Sequence, residues 1–94
     1  MARTVTAGEL FDLLKADGYE ELRQKGSHRQ FSKGENSTTV TLPISNEGDS
    51  VPIGTAKSVA KQAGETVSQA LENILGGKYS PKQQIKLMKK RASP

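Results

Sequence analysis

The chain has no cysteine, one histidine among its 94 residues, and no apolar run approaching the length of a membrane span. Without cysteine there is no disulfide to staple the fold, no thiolate zinc site and no thiol nucleophile, which suits a reducing compartment. The single histidine, His28, excludes any acid–base pair made of two imidazoles. No apolar stretch near the N-terminus has the form of a secretory signal, and a spanning helix would need about 20 apolar residues. A cytoplasmic protein with no membrane partner is therefore expected. No grouping of Asp, Glu and His has metal-ligand spacing, and Gly8, Gly18 and Gly26 form no phosphate-binding loop. Neither a metal nor another cofactor is expected.

Acid is also missing, but only locally. Residues 78–94 carry Lys78, Lys82, Lys86, Lys89, Lys90 and Arg91 and no Asp or Glu. The whole chain has a net charge of +4, yet residues 1–77 hold 8 Lys and Arg against 10 Asp and Glu, a net of −2. The basic character belongs to the C-terminal end, and bulk charge does not argue that the rest binds a polyanion. Any such binding must come from the local placement of Arg23, Lys25, Arg29, Lys33, Lys57 and Lys61. The apolar fraction of 33% is modest, and a domain of this size has a thin core.

Thr6 and Glu9 have the spacing of a capping box, followed by Leu10, Phe11, Leu13 and Leu14 on one helical stripe. Asp17-Gly18 closes it, so a helix is predicted over about 7–17, after a frayed start at 1–5. The period then changes to two. Residues 19–24, 27–32 and 37–42 read as three strands, joined by turns at Lys25-Gly26 and at Lys33-Gly34-Glu35-Asn36, and form an antiparallel meander. Residues 44–50 read as a polar loop, 54–63 as a second helix, and Val67, Ala70, Leu71, Ile74 and Leu75 as the apolar stripe of a third. Gly76-Gly77 ends that stripe. The compact part is expected to span 6–75 and the basic tail, 76–94, to be flexible or helical only when bound. The fold class is α+β, in the order α-β-β-β-α with a three-stranded sheet and an additional C-terminal helix.

Alternation assigns faces to the second strand. With Phe31 toward the core, Ser27 and Arg29 share its side while His28, Gln30 and Ser32 face away. A sheet backed by helices usually keeps its other face solvated. Arg29 would then have to run its stem out past the core, unless a bulge near Gly26 reverses the pattern.

Three segments together carry a family resemblance: Gly18-Tyr19, then Arg23-Gln24-Lys25-Gly26-Ser27-His28-Arg29-Gln30-Phe31, then Val51-Pro52-Ile53-Gly54-Thr55 with Lys61-Gln62-Ala63-Gly64. In this order, over about 8–75, the chain resembles HicA, the toxin of HicAB toxin–antitoxin pairs. The resemblance implies a double-stranded-RNA-binding-like fold, cleavage of mRNA, and a HicB-type antitoxin that covers the active site. It also implies that the histidine after Gly-Ser, here His28, is catalytic. A second histidine often follows it in the family; this chain has Arg29 there.

Histidine suits RNA cleavage because imidazole exchanges protons near neutrality. It can take the 2′-hydroxyl proton, freeing that oxygen to attack the adjacent phosphorus without a metal. Lys25, Arg29 or Arg23 can meet the charge that develops on the phosphoryl oxygens. Ser27 can donate to phosphate, although Gly26 and Ser27 also suit a hairpin corner. Gly54 and Thr55 open a helix with free backbone amides, and Lys57 and Lys61 continue along it, a track for phosphates or simply a solvated face. With no second imidazole, the general acid must be lysine, tyrosine or water. Two rival readings stay open: an RNA-binding module of the same fold that does not cleave, and a protein-interaction domain using the Val67–Leu75 stripe and the tail.

Overall fold

The computed structural model describes residues 4–22, 28–33, 39–44 and 46–92. The first helix, α1 (Ala7–Ala16), opens as the sequence predicts. The Glu9 amide donates to Thr6 Oγ1 at 3.2 Å and the Thr6 amide donates to the Glu9 carboxylate at 2.9 Å, completing the capping box. Leu10, Phe11, Leu13 and Leu14 are all buried. The helix closes through Gly18, whose φ of +97° lies where a side chain would be strained.

The meander follows as β2 (Glu20–Glu21), β3 (Arg29–Ser32) and β4 (Val40–Leu42), in the order β2-β3-β4 and antiparallel throughout. Phe31 stands between Glu21 and Val40, and Arg29 opposite Leu42. These strands are shorter than the predicted spans, and the Lys25-Gly26 turn lies outside the described residues. α2 (Ile53–Ala63) and α3 (Glu65–Leu75) follow the predicted stripes, with Val67, Ala70, Leu71, Ile74 and Leu75 buried. α2 lies along α3 and against β4.

Two expectations are corrected. Val5, expected in a frayed start, and Ser50, expected in a loop, both lie in strands. Val5–Thr6 forms a strand, β1, that pairs antiparallel with β5 (Ser50–Val51), so the sheet structure is divided into two strands and three. Val5 and Val51 face one another in this pairing and are both buried. The link extends into α1, because the Ala7 and Gly8 amides, which a helix start leaves unpaired, donate to the carbonyls of Asp49 and Glu47. A Cβ at Gly8 would stand 3.1 Å from the Glu47 carbonyl oxygen, so a side chain there would push the 47–49 segment back by a few tenths of an ångström.

The second correction concerns the tail. Residues 81–92 form a helix, α4 (Pro81–Ala92), packed against α1 and α3. Ser80 and Gln83 cap it reciprocally at 3.0 and 3.2 Å. Pro81, Gln84 and Met88 are buried, and Ile85 is partly so. Gln84 occupies a core position because Asn73 Nδ2 donates to its side-chain oxygen at 3.2 Å. A stripe that includes a satisfied glutamine is invisible to a count of apolar residues, which explains the missed packing. Among the described residues no helix is long and apolar enough to cross a membrane.

Thr6→Ala removes one half of the capping box at a helix whose start is also tied to the 47–49 segment. A loss of about 1 kcal/mol in unfolding free energy is expected, read as a lower urea midpoint with unchanged slope. An unchanged midpoint would show that the cap contributes nothing to stability.

Candidate functional site

Strand pairing decides what each face of the meander presents. Paired residues lie on the same face and neighbours along a strand on opposite faces. Phe31, Val40, Leu42, Arg29 and Glu21 therefore share the side on which α1 packs. His28, Gln30, Ser32, Glu20 and Thr41 share the other. His28 stands directly before β3 and is exposed. Gln30, half-buried, is paired with Thr41 about 7 Å further along the same face. The open face thus carries an imidazole, an amide and hydroxyls. Alternation had already placed Gln30 there; its membership of a candidate site follows only from the cross-strand pairing with Thr41.

Arg29 resolves the choice between a bulge and a snorkelling stem. It stays on the core side, and its guanidinium carbon lies 4.1 Å from the centre of the Phe11 ring. Nε donates to Glu21 Oε2 at 2.7 Å and a terminal nitrogen bonds the second carboxylate oxygen, a two-pronged pair from strand to strand. The side chains are 14% and 24% exposed, so solvent screens the pair only in part. The hydrogen bond from Arg29 holds the Glu21 carboxyl below the ordinary value of 4.5; burial opposes this, and the charges of Arg29 and Lys15 add to it. The same bond pushes the Arg29 guanidinium further up, with Glu47 adding a smaller attraction. A phosphate approaching Arg29 would have to compete with Glu21.

Tyr19 is buried, and its hydroxyl donates to the Ala63 carbonyl at 2.9 Å, which makes it a tie between the meander and α2 rather than a platform for a base. Lys33 Nζ lies 5.3 Å from the centre of that ring and bonds Asp17 at 2.9 Å. On α2, Ala56, Val59 and Ala60 are buried, leaving Lys57 and Lys61 exposed one turn apart. Gly54 is exposed and Thr55 half-buried in the first turn. This turn begins just after β5 and is linked through β1 to the start of α1. Arg23, Lys25 and Ser27 lie outside the described residues.

Residues 7–65 match the model of one protein family, described as HicA toxin of bacterial toxin-antitoxin. The matched segment runs from the first residue of α1 to the first of α3 and contains His28; α4 lies beyond it. No curated protein and no solved structure matches the chain.

A carboxyl whose pKa is lower in the folded state stabilises that state above its unfolded value and loses the contribution as pH falls through its folded value. Glu21 is such a group. On acidification from about pH 6 to about pH 3 the native chain should therefore lose more thermal stability than Glu21→Gln. Melting curves in that range test this, and parallel loss in the two proteins would contradict it.

Proposed function

The chain belongs to the HicA toxin family of bacterial toxin–antitoxin systems, and on that premise we propose that it is an mRNA-cleaving endoribonuclease with His28 as general base. The observation that carries the reading is the position of His28. It is exposed immediately before β3, within the segment the family match covers, and strand alternation supports its lying on the face turned away from α1.

In the proposed reaction the imidazole takes the proton of a ribose 2′-hydroxyl. The freed oxygen attacks the adjacent phosphorus and the bond to the 5′-oxygen breaks, leaving a 2′,3′-cyclic phosphate and a 5′-hydroxyl. The leaving oxygen receives its proton from a lysine, a tyrosine or water. No metal is needed for this sequence of steps. Gln30 and Thr41 offer hydrogen bonds to the sugar or a base next to the imidazole. Arg23, Lys25 and Ser27 are the proposed phosphate contacts from the segment entering β3.

The arrangement of a meander backed by helices is read here as double-stranded-RNA-binding-like, with RNA lying over the open face. The first-turn amides at Gly54 and Thr55, and Lys57 and Lys61 beyond them, extend the phosphate track along α2. Arg29, already paired with Glu21, contributes by holding β3 in register and so aiming His28. The proposed partner is a HicB-type antitoxin that silences the enzyme by covering this face. Two observations favour a second reading, an RNA-binding module that does not cleave: Glu21 engages the cation next to His28, and the chain has no second imidazole.

Induced expression without an antitoxin should arrest growth, and His28→Ala should relieve the arrest while the protein remains folded by circular dichroism. Cleavage of RNA by the purified variant should fall by 10² or more, roughly the contribution of a positioned proton-transfer group. A folded His28→Ala protein that arrests growth as strongly as the parent would remove His28 from the reaction.

A further inference from the structure

The packing of α4 against α1 creates a groove that the reading above does not use. It is lined by Asp12, Lys15 and Ala16 of α1 and by Lys82, Ile85, Lys86 and Lys89 of α4. Four lysines meet one carboxylate there. Lys82, Lys86 and Lys89 follow one stripe of α4, spaced about 6 and about 4.5 Å along the helix axis, a repeat comparable with that of phosphates along a nucleic acid strand. Lys15 of α1 faces this row across the groove.

We infer that this groove binds the phosphate backbone of RNA as a second contact, separate from the face that carries His28. The inference rests on the reading of the chain as an RNA-directed protein. The groove's chemistry favours a nucleic acid over the other polyanionic partners. A membrane-bound basic helix needs a free apolar face, but Pro81, Gln84 and Met88 of α4 are buried within the domain. A protein interface has a desolvated apolar or aromatic centre. In this groove the apolar lining is limited to Ala16 and a partly buried Ile85, while all four lysines are exposed. What remains is spaced positive charge, which recognises a backbone and not a sequence. The groove is built on α1 and α4 and none of its lining residues belongs to the strands around His28, so one RNA must pass round the edge of the domain to reach both.

The test uses the full chain and a labelled oligoribonucleotide with 2′-methoxy groups, which cannot be cut by 2′-hydroxyl attack. Lys15→Gln/Lys82→Gln/Lys86→Gln should bind it about tenfold more weakly at low salt, with the slope of log affinity against log salt reduced by about 2. Lys78→Gln, outside the groove, should bind like the parent. Cleavage of a dinucleotide, which offers one phosphodiester and cannot span both places, should be unchanged in the triple variant. Unchanged affinity and slope in a folded triple variant would overturn the inference. An equal loss in Lys78→Gln would also overturn it, by pointing to net charge alone. So would intact RNA binding with weakened capture of a purified antitoxin, which would give the groove to an acidic protein. Because the probe is uncleavable, these outcomes stand whether or not His28 proves catalytic.

Discussion

The seat of α1 on β3 is the contact from which the rest of the domain takes its geometry. Phe11 lies with its ring centre 5.2 Å from that of Phe31 and its face under the Arg29 guanidinium. An aromatic pair contributes about 0.5–1.5 kcal/mol beyond the area it buries, and a partly desolvated cation over a ring about 1 kcal/mol. Both come from alternate residues of one strand. Fixing 29 and 31 against the helix leaves 28 and 30 no choice but the other side. A slip of one residue would carry His28 under α1 and Phe31 into water. The orientation of the imidazole is therefore a by-product of core packing two positions wide.

Charge is handled differently at the two ends of the fold. Around β3 each basic group described has a partner: Arg29 bonds Glu21, and Lys33 bonds Asp17 beneath its own contact with Tyr19. These pairs tie strand to strand and strand to helix, and they fit a body whose sequence is slightly acidic. Lys82, Lys86 and Lys89 of α4 have no acid among their neighbours in sequence, and Asp12 is the one carboxylate lining the groove they form. The described cations near the histidine tie elements of the architecture together, while Lys82 and Lys86 of the last helix are exposed along its groove.

Where the sequence speaks through periodicity, the fold was legible. The capping box at Thr6 and Glu9, the inward Phe31 with outward His28, and the stripe from Val67 to Leu75 all follow from spacing alone. The parts that escaped are those without a period. Two-residue strands such as Val5–Thr6 and Ser50–Val51 are too short to alternate, and their pairing is a long-range event. The docking of α4 depends on Gln84, whose burial is tolerated only because Asn73, eleven residues earlier, reaches it. Arg29 was legible as a conflict, a charge on a core-facing position, but its resolution by Glu21 required knowing the register. For the candidate site, sequence singled out the histidine, which is exposed; Thr41 is brought beside Gln30 only through cross-strand pairing.

Helix ends usually fray, since their first amides have no partner within the helix. At α1 two of those amides are satisfied by carbonyls some forty residues downstream, at Glu47 and Asp49. Protection of the Ala7 and Gly8 amides from solvent exchange is thus a property of the closed tertiary fold and not of a local turn. The opening of this helix is coupled to release of the β5 segment that immediately precedes α2. The amino-terminal edge, ordinarily the loosest place in a small domain, is here a latch between the first helix and the second.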